Sequence, residues 1–262
     1  MASNGSGYAT LSAKDRDAGE ARVVLIGDIE VVFRWCPPRV SMMGTTKSKH
    51  VVPLTKGFWI METPVTVGMF KVFVNNYDGK NKYQSEGKTP FGLVKNKNRM
   101  YPNKKFSWEN PGYEHDNDYP VTCISWFDAK KFCDWLSEEK GLNMRLPTEA
   151  EWEYACQAGE TKAKRSLKEL KEIAWIPENS DNQAHPVGKE SHYNTWHICD
   201  MIGNVREWCQ DVGSPKEGGR IVRGGSWASE LKYCQPTGRL AYAPSYRSSY
   251  QGFRVVCECE QQ

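Results

Sequence analysis

From Asp200 to its end the chain offers short strand-like runs parted by glycine-rich turns and never a sustained helical period. The runs are Gly203–Cys209, Arg220–Trp227 and Gly252–Glu258, and Val23–Ile26, Glu30–Arg34 and Gly57–Met61 read the same way upstream. Few helices, many short strands and long loops together argue for an α+β fold. Residues 76–118, rich in Asn, Lys, Gly, Pro and Tyr, show no period and read as one long irregular segment.

Helices are signalled only where local capping chemistry is present. Thr66 can cap a short helix with Val67, Phe70 and Val74 on one stripe. Ser125 and Asp128 have the N-cap and N3 spacing of a second helix. Its buried face is Ala129, Phe132, Cys133 and Leu136, and Gly141 ends it. A capping box at Thr148–Glu151 opens a third, which Gly159 can close. Residues 160–175 read as a solvated amphipathic helix with Leu167 and Leu170 inward, rather than as a basic binding patch.

Composition removes several classes of function. With 35 Lys+Arg against 32 Asp+Glu the net charge is +3, too balanced to predict nucleic-acid or membrane-surface binding. Apolar runs are too short to span a bilayer, so no membrane insertion by the chain is expected. An aromatic content of 12%, including ten Trp, is enough apolar surface to offset the entropy of ordering. The nine cysteines contain no CxxC pair and read mainly as buried free thiols. Residues 1–20 are polar and read as a flexible leader, with neither the basic nor the apolar region of an export signal, and 21–262 as a single domain.

Several kinds of chemistry find no support. Gly224-Gly225-Ser226-Trp227-Ala228 lacks the closing glycine of a nucleophile elbow. The five histidines have no tight metal spacing, and no phosphate loop or dinucleotide fingerprint is present. Gln235-Pro236-Thr237 and Pro177-Glu178-Asn179 miss the carboxylate-amide order of calcium-dependent sugar sites.

Four longer segments occur in order. They are Pro120–Ala129 (PVTCISWFDA), Arg145–Ala155 (RLPTEAEWEYA), Gly203–Trp208 (GNVREW), and Arg223–Trp227 (RGGSW) leading to Gly252-Phe253-Arg254. Across about residues 29–259 the chain resembles the formylglycine-generating-enzyme family, which implies a C-type-lectin-like fold with much irregular structure and short antiparallel strands. The family's oxidases hold copper with two cysteines just after the Gly-Gly-Ser-Trp segment, because soft thiolates favour cuprous copper. Here Cys234 stands at the second position and Ser229 at the first. That departure argues against catalysis and leaves a copper-dependent cysteine oxidase with an altered site as the alternative. The resemblance also implies a structural calcium at Asp200 and Glu207 through carboxylates and at Gly203 and Val205 through main-chain oxygens. Alternatively Glu207 pairs with Arg206 or a loop amide. No other cofactor is expected.

The segment 228–251 carries a second resemblance. Arg239, Pro244 and Arg247 separate short blocks of Tyr, Ser, Ala, Leu and Gly. This is similar to the variable region of proteins diversified by retroelements, in which adenine rewriting turns Asn codons into any codon ending in a pyrimidine. Tyr, Ser, Ala, Leu and Gly are reachable that way, whereas Glu, Lys, Gln, Trp and Met are not. The resemblance implies a ligand-binding surface of Ala228, Ser229, Leu231, Tyr233, Gly238, Leu240, Ala241, Tyr242, Ser245, Tyr246, Ser248, Ser249 and Tyr250. Tyr233, Tyr242, Tyr246 and Tyr250 would be anchors, and Arg223, Trp227, Arg239, Arg247 and Arg254 framework. The other reading is an ordinary Tyr/Ser-rich surface loop. Tyrosine offers wide contact at low conformational cost and serine adaptable hydrogen bonds. The implied partner is a protein or cell-surface ligand. Display at the cell surface is implied, a cytoplasmic location being the alternative.

Overall fold

A computed structural model of the chain describes residues 16–45, 48–77, 83–94, 99–160, 164–214 and 218–258. Two sheets organise it. The first places β1 (Ala21–Ile26), β2 (Ile29–Cys36), β5 (Phe58–Met61), β13 (Val256–Glu258) and β8 (Met144–Arg145) side by side in that order, all antiparallel. The second runs β11 (Arg239–Tyr242), β10 (Gly219–Arg223), β9 (Arg206–Ser214), β12 (Gln251–Gly252), and its last pair is parallel. Two hairpins stand apart: β3 (Arg39–Met43) with β4 (His50–Leu54), and β6 (Phe91–Val94) with β7 (Arg99–Pro102). The second hairpin lies inside the segment 76–118, which is therefore not wholly irregular.

Among the described residues four α-helices form where caps are written locally. In α1 (Val67–Asn76) the Thr66 hydroxyl accepts from Met69 N, and Val67, Phe70 and Phe73 are buried while Val74 is half-buried. Around α2 (Trp126–Lys140) Ser125 and Asp128 complete a reciprocal capping box, and Gly141 ends the helix in the left-handed region. Boxes at Thr148 and Ser166 start α3 (Glu149–Gln157) and α4 (Leu167–Ile173). The left-handed residue that closes α3 is Ala158, one position before the expected Gly159. Within 160–175, Leu170 is buried and Leu167 is 42% exposed, so only one of the two expected leucines turns inward. Of the flexible leader expected over 1–20, only residues 16–20 can be compared with the structure. Residues 1–15 lie outside the described residues, and Gly19 and Glu20 already exchange backbone hydrogen bonds with Trp35.

Among the described residues the sheets and helices close over three apolar clusters, one around Trp35, Phe70, Phe132, Trp208 and Phe253, another around Trp152, Trp196, Ile221 and Cys234, and a small one of Ala184, Val205, Trp227 and Tyr250. Glu207 and Arg254 meet between the first two with no exposed side-chain surface. Arg254 donates to both Glu207 oxygens, at 2.7 and 2.6 Å, and to the carbonyls of Met61, Glu62 and Cys199. Trp152 Nε1 donates to Glu207 Oε2 at 2.7 Å. Arg223, 1% exposed, pairs with Glu153 and donates to the Pro236 carbonyl. A buried ion pair holds only when its remaining hydrogen bonds are satisfied, and for Glu207–Arg254 they are. All eight cysteines among the described residues are buried and unbridged.

Candidate functional site

The segment joining β10 to β11 begins at Gly224-Gly225 because no side chain fits there. A Cβ on Gly225 would stand 2.6 Å from Cys234 Sγ, and the residue has φ +70°. Past this turn Trp227 is buried, edge-on to Tyr250 at 6.0 Å and to Tyr113 at 6.1 Å, and its Nε1 donates to the Ser249 carbonyl at 3.2 Å. The later part of the segment is stitched down by backbone bonds: Lys88 N to Ser245 O, Phe91 N to Arg247 O, Ser249 N to Phe91 O, and Cys123 N to Ser248 O. These bonds fix where the side chains between them emerge.

An aromatic tier results. Phe91 of β6 stacks on Tyr246 with centroids 5.5 Å apart, and Tyr246 stacks on Tyr242 at 4.6 Å with 16° between planes. The Tyr246 and Tyr250 hydroxyls are 2.5 Å apart. Beneath them lies Arg206, the first residue of β9, with its guanidinium carbon 5.3 Å from the Tyr242 ring and 5.0 Å from the Tyr250 ring. Its Nη1 donates to the Tyr242 hydroxyl at 2.5 Å and its Nε to Ser229 Oγ at 3.1 Å. Burial pushes the Tyr242 and Tyr246 phenols upward, with Arg206 opposing the shift at both and Tyr250 adding to it. Both phenols are therefore neutral hydrogen-bonding groups at physiological pH. Phe91 and Arg206 were not among the residues expected at this site: nothing near Phe91 marks it, and Arg206 stood in the GNVREW motif without being assigned to this surface.

The other expected site residues divide by exposure. Ala228, Leu231, Tyr233, Leu240, Tyr242, Ser245 and Tyr246 are half-buried and Ala241 is exposed. Ser229, Ser248 and Ser249 are buried to 1% or less, and Tyr250 to 7%. Those three serines are not outward-facing: Ser229 is tied to Arg206 and to Ser226 Oγ, and Ser248 and Ser249 lie in the backbone stitching. Gly238 also departs from the expectation of a changeable contact residue. A Cβ there would fall 2.0 Å from the Tyr233 carbonyl oxygen, so Gly238 is held by close backbone approach. Tyr233 and Gly238 instead border a second cleft of about 860 Å³ between the β3–β4 hairpin and the start of α3, where Arg239 donates to Glu149 at 2.7 Å.

The residues expected around calcium do not fit that ion. Both Glu207 oxygens take hydrogen bonds from Arg254, and one also from Trp152; the partner is neither Arg206 nor a loop amide. Asp200 spends its oxygens on His192 Nδ1 at 2.9 Å, the Gly188 amide at 3.2 Å and the Cys199 thiol at 3.4 Å. Neither Asp200 nor Glu207 therefore offers a free carboxylate to complete an oxygen shell with the main-chain oxygens of Gly203 and Val205. A cuprous site fares no better. Cys234 is fully buried and its thiol is pushed up to about 11, chiefly by burial, while the Ser229 hydroxyl is taken by Arg206 and Ser226.

Comparisons with known proteins place the molecule. The chain is 29% identical over 243 residues to the inactive C-alpha-formylglycine-generating enzyme 2 of Mus musculus, covering 77% of this chain and 75% of that protein. Its fold matches PvdO from Pseudomonas aeruginosa with a TM-score of 0.72 and 26% identity, over 93% of this chain and 100% of that one. It matches Treponema denticola variable protein 1 with a TM-score of 0.72 and 24% identity, over 91% and 99%. The α+β, C-type-lectin-like fold implied by the sequence motifs is the fold found. A model described as the sulfatase-modifying factor enzyme 1-like domain matches residues 12–259, and the chain belongs to that family, the family of the formylglycine-generating enzymes.

Proposed function

We propose that this protein is a non-enzymatic, ligand-binding display protein whose C-terminal Tyr/Ser-rich surface is diversified by a retroelement. The observation that carries the reading is the tier of Tyr242, Tyr246 and Tyr250 gathered beside a buried frame that includes the Glu207–Arg254 ion pair. Rigid aromatic side chains on a preorganised base are what adaptable recognition needs, because little entropy is lost on binding. An anchor tyrosine in such a surface contributes about 1–3 kcal/mol. The name of the Treponema relative, a variable protein, agrees with this reading. The partner would be a protein or another ligand met at a cell surface. No helix among the described residues is long and apolar enough to cross a membrane.

Burial narrows which positions change freely. The half-buried Ala228, Leu231, Tyr233, Leu240, Tyr242, Ser245 and Tyr246, with the exposed Ala241, tolerate exchange most readily. Ser229, Ser248 and Ser249 accept only small residues without repacking. The test is a comparison of sibling coding sequences, with a search beside them for a reverse transcriptase and an adenine-bearing near-copy of the last segment. Siblings differing at these positions and matching elsewhere support the reading. Siblings that differ across the whole chain, with this segment held constant, overturn it.

A further inference from the structure

Three arginines are buried among the described residues, and two of them hold carboxylates. Arg254 holds Glu207 and Arg223 holds Glu153. Arg206, 7% exposed, holds none: its partners are the neutral hydroxyls of Ser229 and Tyr242 and the faces of Tyr242 and Tyr250. A guanidinium has five N–H donors in a planar fork. Two are used here, and the others have no partner among the described residues. A buried cation without a counter-charge is costly, and cation–π contacts offset only part of that cost.

We propose that Arg206 is the fixed recognition element of this site and takes a carboxylate from an acidic side chain of a protein partner. The proposal rests on the reading of this surface as a ligand-binding one and names the chemistry it selects. The position favours it, because Arg206 lies under rings that belong to the segment proposed to vary while itself sitting in β9, outside that segment. Diversification would then reshape the aromatic wall around a constant ionic contact. The fork can hold a carboxylate or a phosphate, and a single guanidinium balances the one charge of a carboxylate better than the larger charge of a phosphate. Among the described residues, Arg206 is the cation found over the Tyr242 and Tyr250 rings. Half-buried Leu240 and Ala228 nearby in the segment suit the apolar surroundings of a protein side chain better than a polyhydroxylated sugar acid.

The full chain is titrated with N-acetyl-glutamate amide, its neutral glutamine counterpart and glucuronate, reading the tyrosine ring resonances by NMR. The glutamate probe is expected to move the Tyr242 and Tyr246 rings and to bind at least tenfold tighter than the glutamine probe. Arg206→Gln should abolish that preference with the fold retained by circular dichroism. If Arg206→Gln does not fold, the glutamate-to-glutamine ratio on the unaltered chain decides alone. Equal binding of both amides at these rings overturns the carboxylate and leaves the binding surface standing. Tighter binding of glucuronate than of the glutamate probe overturns the protein source. A displayed peptide library is also panned on the full chain. No ring shift with any probe, together with no peptide that Tyr246→Ala releases, overturns this inference and the binding-surface reading alike.

Discussion

Two neighbouring regions of this molecule treat polar groups in opposite ways. Around Glu207 and Arg254 each carboxylate oxygen has a donor, and Arg254 donates from Nε, Nη1 and Nη2. Around residues 228–251 the economy is looser. Arg206 lacks a carboxylate, and the hydroxyls of Ser248 and Ser249 have no protein partner among the described residues. The first arrangement fixes a shape, since any change leaves an uncompensated group in a low dielectric. The second leaves polar groups uncommitted: the two serine hydroxyls are buried without a protein partner among the described residues, and only Arg206, 7% exposed, keeps donors within a ligand's reach. Under the proposed function, the contrast would let one fold hold still at its centre while one wall is exchanged.

The largest expected effect tests the first region. Glu207→Gln keeps the side-chain shape but leaves Arg254 buried without its counter-charge. That change should cost about 3–5 kcal/mol in a denaturant titration, enough to unfold a marginal protein. A loss under about 1 kcal/mol would show that this pair does not hold the frame. Next comes Gly238→Ala, which drives a Cβ against the Tyr233 carbonyl and should cost about 1–3 kcal/mol. Ser248→Tyr should cost as much, because Ser248 is fully buried beside Phe91 and Cys123. If either variant is as stable as the parent, the boundary between frame and changeable wall lies elsewhere than burial places it.

A smaller effect is expected within the wall. Tyr246→Ala removes stacking on Phe91 and Tyr242, and aromatic pairs contribute about 0.5–1.5 kcal/mol each beyond area burial. Stability should fall by about 1–2 kcal/mol while partner binding falls at least tenfold. This site also shows what sequence could and could not disclose. Helices α1, α2 and α3 were legible because their caps are local: Thr66, the pair Ser125 and Asp128, and the pair Thr148 and Glu151 lie next to the turns they close. Tyr242 and Tyr246 were legible from their residue alphabet. Phe91 was not, since it is brought to Tyr246 by backbone bonds from a hairpin inside an Asn/Lys-rich stretch. Arg206 was hidden for the same reason, because only the parallel pairing of β12 with β9 sets it under the rings. The burial of Ser229, Ser248 and Ser249 and the close approach at Gly238 were not legible, because a residue alphabet records what can be written at a position and says nothing of the space around it.

The smallest change distinguishes the two regions most finely. Ser249 is fully buried, its carbonyl accepts from Trp227 and Tyr113, and its amide donates to Phe91, so its backbone belongs to the frame. Its hydroxyl has no partner among the described residues. Ser249→Ala therefore removes an uncommitted polar atom and leaves every backbone bond in place. Deleting a buried group that makes no hydrogen bond is neutral or stabilising, so thermal unfolding should shift by less than about 0.5 kcal/mol in the unfavourable direction, or rise. A loss above about 1 kcal/mol would mean that the hydroxyl is satisfied in solution. The serines would then belong with Glu207 and Arg254, and the changeable wall would shrink to the half-buried residues around Tyr242 and Tyr246.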